Sequence, residues 1–474
     1  MKQFNVTHVK AIMFFIILST FAIRGSNAQY TKLVDFDGIN KGSYPLGSLV
    51  LSGSVLYGMT NNGGTNSRGV IFKVNTDGTG FTKLIDFDGT DKGSGPVGSL
   101  TISGSVLYGM TYSGGANNKG VIFKVNTDGS GFTKLIDFDG LNGTKKGSYP
   151  EGSLILSGNL LYGMTGQGGT DNEGVLFKVN TDGSGFTKLI DFTITNNGSI
   201  FPENDLTLVG NTFYGTTAQG GVNNRGTIFK LNTNGTGFRK LAEFNGDGNG
   251  SFPYCALVPS GAALFGTAIE GGPNHSEGVL FKIDTTTNAF AKLVYFDDSI
   301  QKGVNPYGTL TLYGQTLYGM TAHGGANHKG VIYKVNTDGT GFTKVLDFDG
   351  TNGSNPLGSL LLSGNILYGM TSNGGVNDKG VVFKYTLDQS TGIAEDVNSS
   401  YKIFPNPVHD QLYIKSNSTI TKLELMNQVG QIVKSIICSE TDFSMNTANL
   451  SNGLYIVKAY NKAGNVVASK IVKQ

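Results

Sequence analysis

Five residues stand apart from an otherwise repetitive chain as candidates for polar ligand chemistry: Glu151, Glu203, Asp205, Glu270 and His275. Glu151 and Glu203 each follow a proline (Pro150 and Pro202), where an apolar residue is the norm, and Asp205 is close by. Glu270 and His275 share the segment Ile269-Glu270-Gly-Gly-Pro-Asn-His275. Two carboxyl groups flanking a bond are what glycosidic cleavage requires, one as acid and one as base or nucleophile. The same groups can simply hydrogen-bond a polar ligand, and the competing reading is that they are solvated loop residues. The chain has no Trp, which weakens the usual sugar-stacking platform, although Tyr can serve. A nucleophile elbow, a His-Glu-x-x-His motif and a Gly-Lys-Ser/Thr phosphate loop are all absent from the sequence. Asp86-Phe87-Asp88-Gly89 and its copies supply too few carboxylates for a calcium shell. The sequence therefore assigns no catalytic residue, no metal and no cofactor.

The elements that would position these residues are repeats. Pro45, Pro96, Pro150, Pro202, Pro253, Pro306 and Pro356 each stand twelve residues before an aromatic: Tyr57, Tyr108, Tyr162, Tyr214, Phe265, Tyr318 and Tyr368. A Gly-Gly loop follows, then an apolar run such as Gly-Val-Ile-Phe72-Lys, an Asn-Thr-Asp77-Gly78 turn, and Phe81-Thr-Lys-Leu-Ile-Asp-Phe87. Four short β-prone runs bounded by Gly, Asn, Asp or Pro predict a four-stranded antiparallel unit, with strands a to d. Asp-Gly between strands c and d is a strong hairpin signal, because Gly accepts positive φ without steric cost. Seven such units predict an all-β fold, a seven-bladed β-propeller. A d-type strand at Tyr30–Phe36 precedes every a, b and c strand, and the seventh unit lacks its own d. A ring closed by that N-terminal strand removes both deficits and both open edges. Four aromatic positions per unit account for 28 of the 49 aromatic residues and read as packing between blades.

In such a unit the b–c and d–a loops emerge on one face. The spacing from the last Phe of strand d to the next proline runs 9, 9, 12, 10, 9, 10 and 8, whereas the a–b and c–d turns keep one length. A framework that repeats while one face varies is the pattern of a scaffold presenting binding loops; drift in loosely packed loops is the competing account.

The ends set the compartment. Lys2 and Lys10 precede an apolar run, Ala11–Ile23, that is too short to span a bilayer, and small residues then lead to a cut between Ala28 and Gln29. A secretory signal over 1–28 is expected, with no membrane span after cleavage. Cys255 and Cys438 are expected to be free and buried. With 36 basic and 34 acidic residues spread along the chain, no nucleic-acid footprint is present. The propeller is expected over 29–385 and a polar linker over 386–400. Over 401–474, alternating strands without the repeat predict a small β-sandwich.

Phe404-Pro405-Asn406-Pro407, Leu450-Ser-Asn-Gly453-Leu-Tyr-Ile-Val and Lys470-Ile-Val-Lys473-Gln474 resemble, in order, the type IX secretion C-terminal sorting domain. The resemblance implies Sec-type passage into the periplasm, recognition by the type IX export machinery, and release from or display on the outer surface. The Leu-Tyr-Gly-Met-Thr…Gly-Gly…Gly-Val-Ile-Phe-Lys pattern resembles the GloVer tandem-repeat family, which carries no established activity. The reading is a secreted or surface propeller that binds a glycan or a protein without catalysis. The alternatives are a carbohydrate-active enzyme and a structural surface component.

Overall fold

The computed structural model describes residues 29–387 apart from 141–146, 195–197, 273–276 and 299–301, and residues 401–473 apart from 428–431 and 462–465. The expected signal sequence, its last residue Ala28, most of the expected linker and His275 lie outside the described residues. The chain divides into two compact units with a boundary between Leu387 and Asp388.

Among the described residues, the first unit holds seven four-stranded antiparallel sheets. In the first repeat the strands are a, Val50–Ser52; b, Val55–Thr60; c, Val70–Asn75; and d, Thr82–Asp86, hydrogen-bonded in that order. Burial concentrates on the two inner strands: Leu56, Tyr57, Met59, Val70, Ile71, Phe72 and Val74 are all buried. A strand buried on both faces reads as a continuous apolar run rather than an alternating one, which is the pattern of Val-Ile-Phe in strand c. Gly58 lies opposite Phe72 in the ladder, and a Cβ there would meet the Phe72 ring at 2.6 Å. The glycine inside Tyr-Gly-Met thus makes room for the aromatic that fills the sheet interface. Each c–d pairing shifts register by one residue, as between Ile71 and Phe72, and such bulges increase strand twist.

Consecutive sheets are joined by a repeated aromatic contact. Phe87, just past strand d, meets Phe123 of the next sheet edge-on with centroids 5.5 Å apart. Phe138–Phe177, Phe192–Phe229, Phe244–Phe281, Phe296–Tyr333 and Phe348–Phe383 repeat it. The N-terminal strand Tyr30–Asp35 pairs antiparallel with Val381–Thr386 of the last repeat, and Phe36 then meets Phe72 of the first at 5.3 Å. The d–a segments bridge to the b–c loops of their own repeat, as at Ser43 with Asn62 and Ser251 with Glu270, so both loop sets lie on one side.

In the second unit, Gln411–Met426 pairs with Ile432–Asn446 along one edge. Its other edge takes Tyr401–Phe404 and then Gly453–Asn461, to which Val466–Lys473 adds. These five strands form one connected ladder around Leu412, Ile414, Leu423, Leu425, Val457 and Ile471. Cys255 is buried and Cys438 half-buried, both as free thiols.

Candidate functional site: a cavity shared by seven repeats

Three consecutive residues after each framework proline converge on one cavity of about 250 Å³. Every repeat contributes, so each of the three positions forms a circuit with its own physical logic.

The third position is a hydrogen-bonded belt. Ser48 N–H donates to Ser99 Oγ at 2.8 Å, Ser99 N–H to Ser153 Oγ at 2.8 Å, and Ser153 N–H to the Asp205 carboxylate. Ala256 N–H donates to Thr309 Oγ1 at 2.9 Å, Thr309 N–H to Ser359 Oγ at 2.9 Å, and Ser359 N–H back to Ser48 Oγ at 2.8 Å. The series breaks at one place, because Ala256 has no side-chain oxygen to offer Asp205. Asp205 therefore serves the scaffold: its carboxyl replaces a serine hydroxyl and is pushed up by burial, against the lowering effect of the Ser153 N–H.

The second position is the point of closest approach. A Cβ on Gly47 would lie 2.5 Å from the Gly98 carbonyl oxygen, and Gly98, Gly152, Gly308 and Gly358 are similarly confined. Two repeats carry larger residues there, Asn204 and Cys255. The same two repeats replace the methionine of Tyr-Gly-Met (Met59 in the first repeat) with Thr216 and Thr267. The smaller threonines leave space for the intruding side chains and bond them: Asn204 Nδ2 donates to Thr216 Oγ1 at 2.9 Å, and Thr267 N–H to Cys255 Sγ at 3.2 Å. Burial pushes the Cys255 thiol up to about 11, so it is an inert packing group.

The first position is the variable one and gives the cavity its chemistry. Around the circuit it reads Leu46, Val97, Glu151, Glu203, Tyr254, Tyr307, Leu357. One arc is acidic and phenolic, the other aliphatic. Tyr254 hydroxyl donates to Glu203 Oε2 at 2.9 Å, and the Tyr254 and Tyr307 rings lie 5.9 Å apart. Glu151 makes no hydrogen bond or ion pair among the described residues, and burial followed by repulsion from Glu203 pushes its carboxyl up to about 8. Burial also raises Glu203, opposed by the Tyr254 hydroxyl. No Lys or Arg is among the residues lining the cavity.

Of the residues singled out from the sequence, Glu151, Glu203 and Asp205 meet in this cavity. Glu270 does not line it; its carboxylate faces Arg225 at 3.7 Å and adds to the raised state of Tyr307. In the first repeat, the acids at the end of strand d and just after it are committed to framework contacts. Asp86 pairs with Lys83 at 2.7 Å and caps Thr65 N–H, while Asp88 accepts Thr90 and Lys92 N–H groups. Sequence reasoning missed Tyr254 and Tyr307. The signal was present in the column after the prolines, where Glu, Glu, Tyr, Tyr form one contiguous departure.

The sorting-motif segments also meet within their own unit. Asn406 Oδ1 accepts Val472 N–H at 2.9 Å, Val408 N–H donates to Val472 O at 2.7 Å, and Gly453 pairs with Lys473 in the ladder. Pro405 and Pro407 flank that asparagine, and Lys470 pairs with Ile456 along the same strand.

Repeated four-stranded β sheets sharing one cavity, with a second, smaller β unit after them, define an all-β repeat protein. The chain belongs to the Gloeobacter/Verrucomicrobia repeat family, which matches residues 19–200, 141–316 and 299–403. Residues 402–474 match the secretion system C-terminal sorting domain, of the type IX system, which indicates secretion or an outer-surface location and contact with the export machinery. No curated protein matches the chain. Among solved structures, it is similar to PorZ of Porphyromonas gingivalis, described as a bacterial surface component of the type IX secretion system (14% identity, 93% of this chain and 60% of that one, TM-score 0.47). It is also similar to the extracellular domain of BT4673 of B. thetaiotaomicron (13%, 91% and 53%, TM-score 0.48) and to an oligogalacturonate lyase (13%, 76% and 93%, TM-score 0.49). The chain thus spans 60% of the PorZ structure.

Proposed function

We propose that this chain is an exported, surface-displayed or released binding module whose ligand enters the shared cavity from the side of the b–c and d–a loops. In this reading the signal over 1–28 delivers the chain to the periplasm. The seven sheets of 29–385 are blades of a closed propeller, 386–400 is a linker, and the C-terminal ladder folds over its apolar cluster as a small sandwich. The observation that carries the proposal is the contrast between adjacent positions. The glycine and hydroxyl circuits are held nearly constant by contact and hydrogen bonding, while the position between them and the proline changes from Leu to Glu to Tyr. Variation concentrated at one cavity-lining position, beside two that are nearly constant, is how a rigid scaffold acquires a binding specificity.

Binding of a glycan or protein is tested by probing the full chain against glycan and surface-protein arrays, with Glu151→Gln, Glu203→Gln and Glu270→Gln variants beside it. Loss of a signal in the first two variants, with retention in the third, places the ligand in the cavity. Equal loss in Glu270→Gln moves the site to the outer loops, and the absence of any signal favours a structural surface component. One observation keeps an enzymatic reading in view: a carboxyl raised to about 8 beside a second one steadied by a tyrosine hydroxyl is the division of labour a glycosidase uses. Turnover of a glycan, abolished by Glu151→Gln, is the result that would favour it over binding.

A further inference from the structure

The cavity is amphipathic in a directional way. Glu151 and Glu203 sit on one side with the tilted Tyr254–Tyr307 pair, and Leu357, Leu46 and Val97 face them across the circuit. Arg225 faces Glu270, and neither lines the cavity. Two carboxyl groups are therefore confined together without a positive partner among the described residues, beside ring faces that attract cations. An uncharged sugar would leave Glu151 protonated beside Glu203; a cation lets both carboxyls ionise together.

Resting on the binding role just argued, we propose that the cavity takes an alkylammonium group: a single positive charge seated between Glu151, Glu203 and the Tyr254 ring, on an aliphatic body packed against Leu357, Leu46 and Val97. A lysine side chain presented by a protein and a small free alkylamine share this chemistry. A volume of about 250 Å³ admits either, and excludes a folded segment.

Binding displaces the proton that Glu151 otherwise shares its surroundings with. The groups facing it are Glu203, Tyr112 and Tyr254, of which Tyr112 and Tyr254 are raised phenols that stay neutral below pH 9. Association of an amine that stays protonated up to pH 9 then tightens with pH up to about 8 and levels off above it, by at most tenfold per unit.

The experiment is calorimetric titration of the full chain at pH 6, 7.5 and 9 with n-butylammonium, with Nα-acetyl-lysine methylamide and with its neutral Nε-acetyl counterpart. The expected result is binding of the charged probes, tightening at least tenfold from pH 6 to pH 9, with no heat from the neutral counterpart. Glu203→Gln should weaken binding at least tenfold at every pH, and Glu151→Gln should flatten the pH dependence. Preference for the lysine amide over n-butylammonium assigns the source to a protein side chain, and the reverse assigns a free amine. Equal binding of the neutral counterpart, or charged binding without pH dependence, overturns the proposal. If charged probes fail while an uncharged glycan binds and is lost in Glu203→Gln, the cavity remains the site and only the alkylammonium assignment falls. If nothing binds at all, both fall.

Discussion

Replacing Glu151 with glutamine removes an ionisable group that the fold holds in its neutral form. In the unfolded chain this carboxyl has its ordinary value of 4.5, and in the folded chain burial and Glu203 push it up to about 8. Between those values the native state holds a proton that the unfolded state has released, so stability falls as pH rises, by about 1.36 kcal/mol per unit. Over the full window this amounts to about 5 kcal/mol, all of it lost by pH 8 and none of it below pH 4.5. Glu151→Gln keeps the shape and removes the titration. The variant should match the parent near pH 4.5, gain progressively through pH 6 and 7, and exceed it by about 3–5 kcal/mol at pH 8 and above. Urea unfolding across that pH range reports the difference, followed by circular dichroism or tyrosine emission, since the chain has no Trp. A Glu203→Gln background should shrink the gain, because part of the shift is repulsion between the two groups. A stability difference that is flat with pH, or a variant less stable at pH 8, would refute the account of Glu151 as a buried, unpaired acid.

Further outcomes follow from the circuits around the cavity and from the sorting unit. Ala256→Ser supplies the missing oxygen of the belt next to Asp205 and should stabilise the chain by about 0.5–1.5 kcal/mol in the same urea assay; no gain would mean the break is already satisfied. Gly47→Ala forces a Cβ to 2.5 Å from the Gly98 carbonyl and should cost at least about 2 kcal/mol. Gly104→Ala, in open space at φ 56°, should cost only about 1 kcal/mol, so thermal melts of the pair separate steric closure from backbone strain. Phe36→Ala and Phe87→Ala each remove a fully buried ring from an equivalent edge contact and should cost alike, about 3–5 kcal/mol. A much milder Phe36→Ala would argue against a closed ring. Deleting Tyr401–Gln474 should leave the protein in the periplasm, measured by cell fractionation; continued surface display would contradict its sorting role.

Much of this architecture is written in the chain because the repeat is strict. The twelve-residue interval from proline to aromatic and the displaced strand at Tyr30 are local or arithmetic facts. They lead directly to four-stranded sheets and to the pairing of Tyr30–Asp35 with Val381–Thr386. The departures at Glu151, Glu203 and Asp205 were equally legible, since they interrupt a column that is otherwise apolar or hydroxylic. What separates them is not legible. Glu203 and Asp205 stand two residues apart and both line the cavity, yet Glu203 meets the Tyr254 hydroxyl while Asp205 accepts from Ser153 in the belt. Only the tertiary structure brings the Ser153 amide to the Asp205 carboxylate. The joint replacement of glycine and methionine around Asn204, Thr216, Cys255 and Thr267 is visible as composition, but its meaning is one of space: a larger residue at the point of closest approach needs a smaller one behind it. The unpaired state of Glu151 is likewise a tertiary property, because a carboxyl's charge depends on which cations and dipoles surround it, and those come from other repeats. The sequence by itself determined the units, their number and the positions free to vary; the packing of the units against one another decided which of those positions share a cavity, and with what charge.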